Sequence, residues 1–180
     1  ALRLNRIVLG VAASTHSLGL FTVAIAVPET LRVLPRAVGQ VVADRARSGV
    51  DQLVTARRNT RLFVVGHGFV LVAAAVVGWL TIPIVFGEGF QEARDVLVVV
   101  TVAELVLTLH FMYQALLVGF GRPSGIGLPS VVGAVVMVVL NLIMIPAWGM
   151  QGAAWACLLG FSVLAAVSAG WTNRELRGIG

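Results

Sequence analysis

The chain has little charge and contains no lysine. Of its 180 residues, 12% are charged and 58% are hydrophobic, and all thirteen basic residues are arginine. A soluble domain carries about twice this share of charged residues, so the composition excludes an ordinary soluble domain. The net charge of +5 does not indicate nucleic-acid binding, because the arginines cluster at helix ends, where membrane orientation rules place them.

Cysteine and catalytic patterns are also scarce. Cys157 is the only cysteine, which excludes a disulfide framework, and its apolar surroundings predict a small buried side chain. No Ser–His–Asp arrangement, pair of catalytic carboxylates or metal-ligand spacing can be assembled. The glycine-rich steps match neither a phosphate loop nor a dinucleotide fingerprint. We therefore expect no enzyme activity, no metal site and no cofactor.

The chain does contain a series of membrane-length apolar runs. About 20 helical residues cross a hydrocarbon core, and the runs are continuous rather than alternating, which excludes a β-barrel. We predict an all-α, polytopic membrane helical bundle that forms a single transmembrane domain over residues 1–180. The clearest runs are Leu62–Val85, Val96–Phe120, Leu128–Ile145 and Met150–Trp171.

The first third of the chain allows two interpretations. In one, Ile7–Val27 is a single spanning helix, which leaves arginines on both of its sides. In the other, the polar stretch Ser14–Ser17 ends one helix, and the next runs over Ser17–Ala43 with bends at Pro28 and Pro35. We prefer the second, because the charged connections then alternate between the two sides of the membrane. It predicts about five full crossings preceded by the end of one more helix.

The charge distribution also predicts the location and orientation of the bundle. We expect a multi-pass protein of the inner (cytoplasmic) membrane, with the arginine-rich connection Arg45–Arg61, the turn Gly119–Gly125 and the tail facing the cytoplasm. The acidic loop Phe86–Asp95 and the uncharged turn Pro146–Gly149 then face outward. The chain begins at Ala1 rather than Met, and we expect it to be part of a longer protein.

A row of polar side chains lies on the proline-bent helix. Glu29, Arg32, Arg36 and Gln40 follow the spacing i, i+3, i+7 and i+11, which puts them on one helical face. Ionisable groups at membrane depth are costly and are functional candidates by default. Arginine suits phosphate through its two-pronged guanidinium, so we predict a cationic cavity that binds substrate. The alternatives are interfacial anchoring of Arg36 and Gln40 and a structural ion pair of Glu29 with Arg32.

Arg3 and Arg6 form a second candidate group. If the first helix ends at Ser14, both arginines lie two to three turns inside the membrane and join the substrate-binding cavity wall. If the chain start is instead a cytoplasmic end, they are anchors of the positive-inside kind. The residues alone leave these alternatives open.

Glu104 is the third candidate, in the middle of an apolar run. We expect it to face the bundle interior near an arginine, because a lone carboxylate in hydrocarbon is costly. It serves either as a structural ion-pair partner or as a group that exchanges a proton or cation. His110, without a second ligand at suitable spacing, is expected to be a hydrogen-bonded bundle histidine rather than a metal ligand.

Four motifs occur in an order that is typical of one membrane-protein superfamily. The segment 141–156 reads Asn-Leu-Ile-Met-Ile-Pro-Ala-Trp-Gly-Met-Gln-Gly-Ala-Ala-Trp-Ala, in which Pro146 ends a helix, Gly149 turns the chain and Gly152 allows close packing. It resembles the helix–turn–helix of the multidrug/oligosaccharidyl-lipid/polysaccharide flippase superfamily. The other three motifs are Leu2–Arg6 followed by Leu18–Ala24, Ile84–Phe90 with Ala93, and Leu116–Pro123. Asn5 and Phe21 depart from the Asp and Tyr that are frequent in members of the polysaccharide type.

The resemblance implies a fold and a function. Members have two six-helix lobes, so the chain resembles an incomplete C-terminal lobe whose partner is the missing N-terminal lobe. The implied function is flipping of a polyprenyl-diphosphate-linked oligosaccharide for polysaccharide or cell-envelope synthesis, with the lipid-linked sugar and membrane lipids as partners. Asn141, on the Asn-bearing helix, joins Glu104 as a coupling or cavity candidate.

Other functions compete with this one. A peptidoglycan-precursor flippase or a drug/cation antiporter of the same superfamily is the nearest alternative, although antiporters of cationic drugs tend to need acidic cavities. An integral-membrane glycosyltransferase would need catalytic acids, often on larger external loops. A membrane scaffold without transport activity is a further class.

Overall fold

The computed structural model describes residues 4–48, 50–119, 121 and 124–177, and this part of the chain is almost entirely helical. Four stretches of this described part are long and apolar enough to cross a membrane: Thr15–Arg47, Arg58–Phe86, Glu88–Gly119 and Pro129–Arg174. The predicted all-α membrane bundle is therefore confirmed as a fold class. The helices are α1 (Leu4–Ala12), α2 (Thr15–Leu31), α3 (Val33–Arg47), α4 (Val50–Phe86), α5 (Ala93–Gly119) and α6 (Ser124–Arg177), with a 3-10 turn over Glu88–Phe90.

The break between α1 and α2 lies where the polar stretch predicts it. Helix α1 ends at Ala12, and Ser14 caps α2 by accepting a hydrogen bond from the Ser17 backbone N–H at 3.1 Å. Arg6 on α1 forms an ion pair with Glu29 on α2, although a straight helix would separate them by about 34 Å. The chain therefore turns back here, and the interpretation of a single helix over Ile7–Val27 is wrong.

Helices α2 and α3 are one membrane-length stretch with a break at Arg32. Pro28 lies inside α2, and Pro35 lies in the first turn of α3. Because Pro35 has no N–H to donate to the preceding turn, the helix is interrupted just before it. The Arg32 N–H bonds instead to the Glu29 carbonyl at 3.2 Å. The bend predicted at Pro35 is thus present as an interruption at Arg32, a charged residue, whereas α2 continues through Pro28.

Helix α6 is a hairpin of two antiparallel arms, 124–148 and 150–177. At Gly149 the backbone leaves helical geometry with φ 56° and ψ −129°, a left-handed conformation that favours glycine. A Cβ on Gly160 would lie 3.6 Å from Met137 Cα, and one on Gly152 would overlap the Met144 carbonyl oxygen. The stretch Pro129–Arg174 has 46 residues, about twice what one crossing needs. The turn predicted at Pro146–Gly149 is confirmed.

The predicted connection Arg45–Arg61 is helical over most of its length. The segment that holds Arg57, Arg58 and Arg61 is part of α4, which begins at Val50, before the apolar run that starts at Leu62. No proline or glycine occurs over 50–61, so nothing in that segment interrupts a helix.

Helix α5 is central to the bundle, because it packs against α2, α3, α4 and α6. The main hydrophobic core lies between α1, α2, α5 and α6 and includes Leu9, Phe21, Leu97 and Ala153, each at most 1% exposed. Helices α3 and α5 run parallel, since Gly39 lies opposite Ala115, and Ala46 lies opposite Gly119. This pairing sets which α5 residues face the row of charges on α2 and α3.

Candidate functional site: the charged face of α2 and α3

Arg32, at the break between α2 and α3, points into the bundle. Its Nε donates to Glu104 Oε2 at 2.9 Å, and its Nη2 contacts the other carboxylate oxygen. The side chains of Arg32 and Glu104 are only 7% and 3% exposed. A two-pronged, charge-assisted pair of this kind satisfies both groups away from water. The expectation that Glu104 faces the interior beside an arginine is confirmed.

Glu29 extends the pair into a chain of alternating charges. Its Oε1 lies 3.8 Å from Arg32 Nη1, and its Oε2 contacts Arg6 Nη2. We call Arg6, Glu29, Arg32 and Glu104 the ion-pair cluster. Two arginines and two glutamates make it neutral overall, so it adds no net positive charge to the bundle. The structural pair of Glu29 with Arg32, which the sequence left as an alternative, is present.

Arg36, one turn beyond Arg32 on the same face, has a different environment. It is exposed, and its guanidinium carbon lies 5.3 Å from the centre of the Phe111 ring, within the range of a cation–π interaction. Within the described part of the chain it has no carboxylate partner. Arg36 is therefore the uncompensated cation of the row.

Arg36 stands at the side of an apolar cleft of about 510 Å³ between α3, α5 and the two arms of α6. We call it the Arg36 cleft. His110 and Ser130 add polar groups, and the remaining lining is Leu107, Phe111, Gly133, Ala134, Met137, Phe161 and Leu164. Gln40 is exposed and lies with Arg36 along an adjoining cleft of about 220 Å³. A single cation beside an apolar wall suits an anionic group that carries a hydrocarbon chain.

Asn141 belongs to a separate polar contact, between α1 and the α6 hairpin. Its Nδ2 donates to Asn5 Oδ1 at 3.1 Å and to the Met137 carbonyl at 2.7 Å, and Asn5 contacts the Cys157 sulfur. All three polar side chains are at most 3% exposed. Asn141 Oδ1 is buried and has no partner among the described residues. This contact was missed, because nothing in local spacing brings residues 5, 141 and 157 together.

The remaining candidate residues lie outside the ion-pair cluster, or outside the described part of the chain. Arg3 lies outside the described residues. Thr101 and Thr108, which lie three and four residues from Glu104 on α5, donate hydrogen bonds to carbonyls of their own helix rather than to the Glu104 carboxylate. His110 Nδ1 lies 2.8 Å from Ser168 Oγ, which confirms a hydrogen-bonded bundle histidine. No group of three or more His, Cys, Asp or Glu suited to a metal ion occurs in the described ranges.

The residues of the predicted row lie on one face, as expected, but they have two different kinds of environment. Arg6, Glu29, Arg32 and Glu104 form the ion-pair cluster, whereas Arg36 and Gln40 line clefts. Comparison with known proteins adds no identification: no family model, curated protein or solved structure matches the chain.

Proposed function

We propose that the protein is a transporter of the cytoplasmic membrane that flips a polyprenyl-diphosphate-linked oligosaccharide. The observation that carries the proposal is the Arg36 cleft, in which an uncompensated cation lies beside an apolar wall at the depth of a membrane-spanning stretch. A lipid-linked sugar presents the matching chemistry, a diphosphate followed by a long hydrocarbon chain. The motif order described above supports the same function.

Arg32 and Arg36 are the two candidates of the row for the phosphate contact, and their partners differ. The donors of Arg32 face two carboxylates, so in this conformation Arg32 holds α2 and α3 against α5. Within the described part of the chain, Arg36 contacts the Phe111 ring and has no ion pair, so its guanidinium remains available for charge-assisted hydrogen bonds. We therefore assign the phosphate contact to Arg36, with Gln40 beside it.

Substitution of Arg36 tests the proposal directly. A charge-assisted hydrogen bond contributes on the order of 1.5–3 kcal/mol, so Arg36→Ala should weaken binding by about ten-fold or more. Arg36→Lys should restore binding only partly, because the two-pronged geometry is lost. The measurement is the binding and flipping of a fluorescent polyprenyl-diphosphate-linked disaccharide by the full-length protein reconstituted in liposomes.

A matched control lies on the same helix. Arg45 is exposed on the last turn of α3 and does not line the Arg36 cleft, so Arg45→Ala removes the same charge elsewhere. It should leave binding of the probe unchanged. Normal flipping by Arg36→Ala at wild-type expression would reject Arg36 as the phosphate contact. Preferential transport of a cationic dye by the wild type would instead favour the antiporter alternative.

A further inference from the structure

A second cleft, of about 440 Å³, lies between α4, α5 and the second arm of α6. We call it the Arg61 cleft. It shares no lining residue with the Arg36 cleft. Its polar lining is Thr60, Arg61, Tyr113 and Asn173, and its apolar lining is Val64, Val65, Leu109, Met112 and Leu116.

The position of the Arg61 cleft matches a membrane surface. Thr60 and Arg61 lie in the first turn of the spanning stretch Arg58–Phe86, and Asn173 is next to the end of Pro129–Arg174. One helix thus enters the membrane where another leaves it. Val64 and Val65 lie one turn deeper along α4. The cleft therefore has polar residues at the membrane interface, Thr60, Arg61 and Asn173, and its apolar walls continue toward the hydrocarbon.

These three polar residues have hydrogen-bonding groups that the described part of the chain leaves unused. Arg61 and Asn173 are exposed, and neither has a hydrogen bond or ion pair within the described ranges. Thr60 Oγ1 is buried and has no hydrogen-bond partner among the described residues. Six other helical threonines donate to the carbonyl four residues earlier: Thr22, Thr30, Thr81, Thr101, Thr108 and Thr172.

We infer that the Arg61 cleft binds the head group of an anionic phospholipid. Arg61 would pair with the phosphate through its guanidinium, and Thr60, after rotation about χ1, and Asn173 would add hydrogen bonds. One acyl chain would follow the groove past Val64, Val65 and Leu109. Basic pockets between membrane helices at the cytoplasmic surface are suited to anionic lipids. The inference concerns a bound lipid rather than the transported one and does not depend on the proposed function.

Native mass spectrometry of the delipidated protein in detergent provides the test. Titration with phosphatidylglycerol should show one lipid retained more strongly than the rest, and phosphatidylcholine should be retained less. Arg61→Gln should weaken the tightest phosphatidylglycerol site by about ten-fold, the loss of a charge-assisted contact. Thr60→Val, which removes only a hydroxyl, should weaken it by about three-fold.

Arg45→Gln is the matched control, since it removes an exposed arginine outside the cleft. It should leave the tightest site unchanged. If Arg61→Gln and Arg45→Gln lose the same affinity for phosphatidylglycerol, the lipid is held by general charge attraction, and the inference is overturned. Equal retention of phosphatidylcholine would leave only an apolar groove. Displacement of the lipid by glycerol 3-phosphate at equal concentration would indicate a site for free phosphate instead.

Discussion

Arg32 and Arg36 lie one turn apart on one helical face, yet their environments are opposite. Arg32 is buried and held by two carboxylates, whereas Arg36 is exposed over an aromatic ring beside a cleft. The difference comes from α5, which runs parallel to α3. It presents Glu104 at the level of Arg32 and Phe111 at the level of Arg36.

This comparison separates two uses of charge in one membrane bundle. A buried, paired arginine joins helices and carries no net charge to a ligand, because its partner cancels it. An unpaired arginine beside a cleft keeps its charge available. The face of a helix therefore does not define a binding site until the groups opposite it are known.

Removal of Glu104 should produce the largest effect. Glu104→Ala leaves the buried Arg32 with Glu29 alone, at 3.8 Å, and breaking a buried ion pair from one side costs about 3–5 kcal/mol. The free energy of unfolding in detergent micelles should fall by about that amount, whereas Arg36→Ala should change it little. Expression of Glu104→Gln should also decline, so a loss of transport in that variant would not by itself establish proton or cation coupling.

A double variant distinguishes pairing from general packing. Arg32→Gln combined with Glu104→Gln removes both charges and should cost less than the sum of the two single Gln variants, because no unpaired charge is left buried. If the two changes are simply additive, Arg32 and Glu104 do not act as a pair, and the contrast with Arg36 disappears.

The α6 hairpin should show the next largest effect. It carries Asn141 and Cys157 to Asn5, so it fixes α1, the helix that bears Arg6. A Cβ on Gly152 would overlap the Met144 carbonyl oxygen, and the backbone of the other arm cannot yield as a flexible side chain would. Gly152→Ala should therefore lower the free energy of unfolding by about 1–3 kcal/mol.

Gly170 provides the control in the same arm of α6. A Cβ at Gly170 meets nothing within 4 Å, and alanine is favoured over glycine in a helix by up to about 1 kcal/mol. Gly170→Ala should thus be neutral or stabilising in the same measurement. A Gly152→Ala protein as stable as Gly170→Ala would contradict the close approach of the two arms.

Local features of the sequence predicted much of this fold. Ser14 is a helix cap, Pro35 interrupts a helix, and Gly149 adopts a backbone conformation that suits glycine. Each is a property of a few neighbouring residues, so each could be predicted without knowing the tertiary structure. The shared face of Glu29, Arg32, Arg36 and Gln40 follows from helical periodicity in the same way.

The partners in the site could not be predicted in the same way. The sequence predicted an arginine near Glu104, but helical periodicity does not distinguish Arg32 from Arg36 as its partner. Only the packing of α5 selects Arg32. The contact of Asn5 with Asn141 and Cys157 joins residues more than a hundred positions apart. Such contacts depend on how the hairpin docks on α1, which no single helix specifies.

Arg6 should give the smallest effect and marks the edge of the ion-pair cluster. Its pair with Glu29 is partly exposed, with the two side chains 33% and 30% exposed, and such pairs contribute about 0–1 kcal/mol. Glu29 also keeps Arg32 at 3.8 Å, so Arg6→Gln does not leave a carboxylate alone. The free energy of unfolding in micelles should fall by less than about 1 kcal/mol.

Arg47→Gln is the control. It removes a more exposed contact at 3.4 Å to Asp44 and should change the free energy of unfolding even less. A loss for Arg6→Gln as large as that for Glu104→Ala would mean that all four charges act as one closed unit, because removing an outer member would then release the buried pair.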